Sequence, residues 1–276
     1  MHRADAWGVA IVLGVVAMLL HSAFGAPGCA LTATLSFAYL FGYLVNDYFD
    51  APEDARDVQG EHRNLFVLHP VSQTFARVAF GLSAAVVLAG FLTFGRAGLM
   101  WFGMSIAVIW SYSAPPVRLK SRPGLDLVTH AVFVQTYPYL LFLVLLELDI
   151  TALDYFILAV CFLSSLSGQL AQQIRDYQVD LLTGATFTTR WGLRPARYLL
   201  SAITLALGAV VLAGFLFGLM PLTLLPFVVL FVPVFLMRIR GVGRTSRAYA
   251  VWSVVTALGY IAWLAYARVD IGGTPL

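Results

Sequence analysis

The sequence predicts an all-α polytopic membrane protein, nine transmembrane helices in one bundle, forming a single helical domain over residues 1–276. Three observations predict it. Hydrophobic residues make up 60% of the chain and charged residues only 11%, against roughly 25% charged in soluble domains. Apolar runs of about 20 residues, the length of a membrane span, recur from one end to the other. The basic residues gather in alternate connections between those runs, the asymmetry that marks the cytoplasmic side. Such a composition excludes a soluble domain, and no nucleic-acid partner is expected.

The nine runs lie at about 7 to 24, 27 to 50, 73 to 94, 98 to 114, 125 to 147, 152 to 175, 194 to 217, 221 to 240 and 246 to 267. The first loosely resembles a signal peptide, but its apolar stretch is long and the charge count works with it retained, so it is read as a membrane helix. His21 is its only ionisable group, and packing is its expected role. With a cytoplasmic N-terminus, fifteen basic residues fall inside: Arg3, Arg56, Arg63, Arg77, Arg118, Lys120, Arg122, Arg175, Arg190, Arg194, Arg197, Arg238, Arg240, Arg244 and Arg247. Only Arg96 and Arg268 fall outside. The expected location is a prokaryotic plasma membrane, with the connections at about 51–72, 115–124 and 176–193 on the cytoplasmic face.

The second run ends in Asn46-Asp47-Tyr48-Phe49-Asp50-Ala51-Pro52-Glu53-Asp54. At helical spacing Tyr43, Asp47, Asp50 and Asp54 form one stripe, with Asn46 on its shoulder. Pro52 is placed to kink the helix and draw Asp54 off that stripe. The sixth run ends in a second stripe, Gln169, Gln172, Gln173, Asp176 and Asp180. Carboxylates beside lipid are costly unless a cation meets them. Two acidic stripes on two helices therefore point to a shared hard divalent ion such as Mg²⁺, which takes carboxylate oxygens, water and substrate phosphate. The site implies a phosphorylated ligand.

Between the stripes, Tyr112-Ser113-Ala114-Pro115-Pro116-Val117-Arg118-Leu119-Lys120-Ser121-Arg122-Pro123-Gly124 ends the fourth run in an extended turn that presents three cations. These, with Arg63 from the long polar connection 51–72, are candidates to balance phosphate charge beyond what a metal supplies. His62 and His69 in that connection lack metal-ligand spacing. The fifth run carries Asp126, His130, Gln135, Thr136 and Tyr137, an unusual polar load; Gln135 either lines a cavity or bonds across helices. It also holds Pro138, as the eighth holds Pro233, both tolerable where neighbours satisfy the freed carbonyls. Glu147 to Asp154 reads as a solvated outer loop. Cys29 and Cys161 read as buried small hydrophobes, and the last three runs as closure of the bundle.

These residues resemble the UbiA superfamily of intramembrane prenyltransferases. Asn46 to Asp54 is similar to its first Asp-rich pattern, N-D-x-x-D-x-x-x-D, and Asp176 to Asp180 to the D-x-x-x-D core of its second. Tyr112-Ser-Ala-Pro-Pro with Leu119-Lys120 resembles the motif between its fourth and fifth helices, although Tyr112 and Lys120 stand eight apart where some members have a closer pair. Gln178 and Val179 depart from the polar or small residues common inside the second motif. The resemblance implies a bundle around a central cavity and a Mg²⁺-dependent transfer of a prenyl group from an isoprenyl diphosphate to a lipophilic acceptor in the bilayer. It implies Asp47, Asp50, Asp54, Asp176 and Asp180 as metal ligands, and Asn46, Arg63, Arg118, Lys120 and Arg122 around the diphosphate. Tyr112, with Asn46 and the five aspartates, would be catalytic; Tyr43, Gln135, Tyr137, Gln169, Gln172 and Gln173 would line the cavity. One branch of the superfamily is similar to terpene cyclases, so cyclisation without a separate acceptor is the alternative. A transporter using the aspartates for ion coupling would place them near the bilayer midplane in an inverted repeat; here they lie at helix ends.

Overall fold

The computed structural model describes residues 4–55, 64–69, 71–220 and 222–241, with isolated positions between 252 and 263. Among these, helices are the only regular structure. In chain order they are α1 (Ala4–Leu20), α2 (Ala26–Asp54), α3 (Leu65–Leu68), α4 (Gln73–Leu92), α5 (Gly95–Ser113), α6 (Leu125–Ala131), α7 (Tyr137–Leu145), α8 (Ala152–Arg175), α9 (Tyr177–Thr183), α10 (Phe187–Trp191), α11 (Leu193–Leu216) and α12 (Leu225–Ile239). Eight of the nine apolar runs coincide with helices or helix groups; the ninth, about 246 to 267, falls mostly outside the described residues. Five helical stretches are long and apolar enough to cross a membrane: Ala26–Asp54, Gln73–Leu92, Leu125–Leu145, Ala152–Arg175 and Leu193–Leu216.

Two apolar clusters hold the bundle. The larger joins α1, α2, α4 and α7 through Ala10, Ala17, Leu31, Leu35, Phe41, Val87, Phe91, Tyr139 and Phe142. The smaller joins α6, α8 and α11 through Leu127, Leu170, Ile174, Ala196 and Leu200. Lipid is as apolar as these side chains, so close approach rather than hydrophobicity drives their association. Gly90 shows the tightness: a Cβ there would run into the Thr34 side chain of α2.

The fifth apolar run is one span built in three pieces. Between α6 and α7 a π-helical segment, Val132–Thr136, widens the turn immediately before Pro138. Pro138 has no N–H to give the Val134 carbonyl, and the Tyr39 hydroxyl of α2 donates to that carbonyl instead. A neighbouring helix thus satisfies the group that the proline frees.

Several expectations are corrected. Asp154, read as part of a solvated loop, is 1% exposed. It caps α8, accepting from the main-chain N–H and the hydroxyl of Thr151, both at 2.7 Å, and its other oxygen takes the Tyr139 hydroxyl at 2.7 Å and faces His21 Nε2 at 2.9 Å. His21 is therefore a polar tie between α1, α7 and α8 rather than filler. The tie lies at the opposite end of α8 from its glutamines, about 25 Å away at 1.5 Å per residue. Cys161 is buried as expected, while Cys29 is exposed. The second acidic stripe is not one helix face, because α8 ends at Arg175 and the chain turns at Asp176 (φ −93°, ψ 8°) before α9 carries Asp180. Helix α2 continues through Pro52 to Asp54.

Candidate active site

The end of α2 presents two polar faces rather than one. At roughly 100° per residue, Asn46, Asp50 and Glu53 share one direction, and Asp47 and Asp54 share another about 80° away. Asp47 and Asp54 turn to the 64–68 segment. Asn64 caps α3 by accepting from Phe66 N at 2.8 Å, and its amide donates to the Asp47 carbonyl at 2.6 Å and to Asp54 Oδ2 at 2.8 Å. The Asp47 carboxylate, 5% exposed, accepts from Leu65 N at 3.1 Å. Helix α3 is thereby pinned over the acidic end of α2.

Asn46, Asp50 and Glu53 turn instead to the loop after α5. Asn46 Oδ1 accepts from Lys120 Nζ at 3.0 Å and from the Ser113 hydroxyl at 3.2 Å. Asp50 pairs with Lys120 and takes a further contact from Arg118 Nη2 at 3.3 Å. Glu53 grips Arg118 with both oxygens, each at 2.7 Å. Arg118 is pushed further up in pKa, first by its hydrogen bond to Glu53. Burial pulls Lys120 down against the opposing pull of Asp50. Lys120 is the only lysine in the chain, all other basic side chains being arginine. Its compact charge suits a slot between an amide oxygen and a carboxylate.

A second cluster forms where α6, α8, α9 and α10 meet. Asp126, 1% exposed, accepts from Gly124 N at 2.6 Å, Gln173 Nε2 at 2.5 Å and Phe187 N at 3.0 Å. Gln173 Oε1 in turn accepts from the N–H and hydroxyl of Thr188, both at 3.2 Å. This clasp fastens the 184–191 segment to the bundle. Asp176 is gripped by its neighbour Arg175 at 2.7 and 2.8 Å. Burial, then the charges of Asp176 and Asp126, push the Asp180 carboxyl up to about 7. The Tyr112 hydroxyl, near the end of α5, feels the charges of Asp126, Asp50 and Tyr43.

The donor set is all oxygen, the kind that hard cations take. At Asp180 negative charge exceeds what Arg175 compensates, so a divalent cation fits. Among the described residues no three His, Cys, Asp or Glu side chains gather closely enough to hold a metal ion by themselves.

Of the remaining predicted residues, Arg122 is exposed and donates to the Val117 carbonyl at 2.8 Å, and Arg63 lies outside the described residues. Gln173, expected to line a cavity, is a buried clasp instead, because both ends of its amide find partners. Tyr137, expected there too, is packed in the core, donating to the Trp101 carbonyl at 3.1 Å and meeting the Ser105 hydroxyl at 2.9 Å. Gln135 accepts from Ser164 of α8 at 2.6 Å, the interhelical bond rather than the bare cavity wall. Gln169 is half-buried and Gln172 exposed. Glu53, Asn64 and Asp126 were not among the predicted site residues. Glu53 stands seven positions from Asn46 and three from Asp50, the spacing of a shared face, and Asp126 is an acid at the start of an apolar run.

The fold and these clusters define an intramembrane helical enzyme class whose acidic motifs sit at one end of the bundle. Residues 6–254 match the model of the UbiA prenyltransferase family, and the chain belongs to that family. A lycopene elongase/hydratase of Corynebacterium glutamicum is 27% identical over 139 residues, 50% of this chain and 48% of that protein. One from Haloferax volcanii is 32% identical over 127 residues, 45% of this chain and 41% of that protein. These matches thus span about half the length of the curated relatives. A UbiA homolog from Archaeoglobus fulgidus bound to GPP and Mg²⁺ superposes with a TM-score of 0.74 at 16% identity over 98% of both chains. The apo UbiA homolog from Aeropyrum pernix K1 gives 0.73 at 14%, over 97% of this chain and 99% of that one. Both likenesses establish the UbiA fold.

Proposed function

We propose that this protein ionises an isoprenyl diphosphate with Mg²⁺ and transfers the prenyl group to a lipophilic acceptor, its acidic end facing the cytoplasm. The observation that carries the reading is the meeting of Asn46 and Asp50 with Lys120, in the loop that leads directly into α6 and its buried Asp126. Asp50, Asp54, Asp176 and Asp180, with Asp47, would hold Mg²⁺. When bound, the ion shields the diphosphate and stabilises it as a departing anion. Lys120 and Arg63, with Arg122 at the rim, would bind phosphate oxygens, and Asn46 would hold the Lys120 ammonium in line.

The allylic C–O bond breaks heterolytically, its electron pair leaving with the diphosphate. The faces of Tyr43 and Tyr112 would stabilise the resulting cation, and an apolar cavity among the helices would hold the prenyl tail away from water. Attack by an acceptor double bond forms the new C–C bond, and loss of a proton completes the transfer. The names of the curated relatives support a long linear polyene as acceptor. The test is mass spectrometry of products formed by purified protein with Mg²⁺ and a panel of isoprenyl diphosphates, with and without lycopene. A product containing both substrates supports transfer. A cyclic hydrocarbon or terpene alcohol formed equally well without acceptor would replace it with cyclisation.

A further inference from the structure

We propose that Glu53 is a positioning residue: through Arg118 it locks the turn that aims Lys120 at Asn46 and Asp50. Arg118 has a left-handed backbone, φ 39° and ψ 62°, a conformation that a side chain with a Cβ adopts at a steric cost. That kink starts the 3₁₀ turn Leu119–Ser121, closed by Ser121 N to Arg118 O at 3.0 Å and Arg122 N to Leu119 O at 3.0 Å. Something outside the loop must hold it. Glu53 does so with a two-pronged pairing, Nη1 and Nη2 each 2.7 Å from a carboxylate oxygen, the strongest geometry such a pair offers. The pair is largely shielded, with side chains 25% and 29% exposed.

The consequence falls on Lys120. Two residues after the kink, its side chain is only 13% exposed and lies on Asn46 and Asp50. With both Glu53 oxygens engaged by Arg118, Asp50 is left chiefly to the lysine. Arg118 thereby becomes a staple rather than a free cation for phosphate, and Glu53, which belongs to neither predicted ligand set, sets the aim of the one that is.

The importance of that aim rests on the proposed function, so the experiment has two arms. Because Lys120 is the only lysine, acetylation of the full-length protein in detergent reports on it alone, with the N-terminal amine as internal reference. Glu53→Gln and Arg118→Gln are each expected to speed Lys120 acetylation by about tenfold, Glu53→Asp by less, and the exchange Glu53→Arg with Arg118→Glu is expected to restore slow labelling. Unchanged labelling in Glu53→Gln overturns the proposal, as does a rise that the exchange does not reverse. In the second arm, Glu53→Gln raises KM for the isoprenyl diphosphate by about tenfold with kcat within about twofold, and the exchange restores it. A fall in kcat alone at unchanged KM overturns the positioning role. Altered labelling in a protein whose wild type turns over no isoprenyl diphosphate upholds the clamp and refutes the proposed function instead.

Discussion

Asp126→Ala is expected to loosen the second acidic segment while leaving the end of α2 in place. The lost carboxylate accepts three hydrogen bonds, at 2.5, 2.6 and 3.0 Å. Two of the donors, the Gln173 amide and Phe187 N–H, are enclosed by α6, α8 and α10; the third, Gly124 N–H, sits at a loop where water can replace the acceptor. An unsatisfied buried donor costs about 1–3 kcal/mol, so the variant, with two of them, should lose about 2–6 kcal/mol. The loss is local, and hydrogen–deuterium exchange in detergent reads it. Protection at Phe187 and Thr188 should fall by about thirtyfold or more with α4 unchanged. Asp126→Asn keeps one acceptor oxygen and should fall between. Unaltered exchange at Phe187 in Asp126→Ala would refute the clasp.

Asp50→Ala should abolish prenyl turnover while the protein still folds, read by product mass spectrometry beside gel filtration. In metal-free protein the Asp180 carboxyl, pushed up to about 7, makes folding less favourable as pH rises. The penalty is absent below the ordinary carboxylate range, grows through it and is complete above about 7, and Asp180→Asn should flatten that slope in thermal unfolding after chelation. Tyr39→Phe should lower stability by about 1–2 kcal/mol by orphaning the Val134 carbonyl, and cost less in a Pro138→Ala background, where a main-chain N–H becomes available; equal cost in both backgrounds would contradict the role given to Tyr39. His21→Ala should destabilise the α1–α7–α8 tie, measured by unfolding, with no change in KM for the diphosphate.

The helices were legible because lipid demands long apolar runs, and the ends of α2 and α8 were legible because carboxylates stand out there. Asn46, Asp50 and Lys120 were found from spacing and chemistry, and the structure joins all three. What spacing cannot resolve is which side of an acidic helix end meets which loop. The helical arc covering Asp47, Asp50 and Asp54 is wide enough to face two neighbours, and α3 and the 114–122 loop divide it. The break at Asp176 carries no Pro or Gly signal, so the second stripe read as one helix. The burial of Asp154 depends on Tyr139 and His21, partners distant in sequence that no local pattern announces, and the same holds for Asp126 and Phe187.

The central claim is that the two acidic clusters act together on one diphosphate. It is tested most directly by measuring Mg²⁺-dependent release of inorganic diphosphate from an isoprenyl diphosphate by wild type, Asp50→Asn and Asp176→Asn. The account predicts release by the wild type and loss in both variants, although Asp50 lies in α2 and Asp176 at the turn between α8 and α9. Full release by either variant would contradict it.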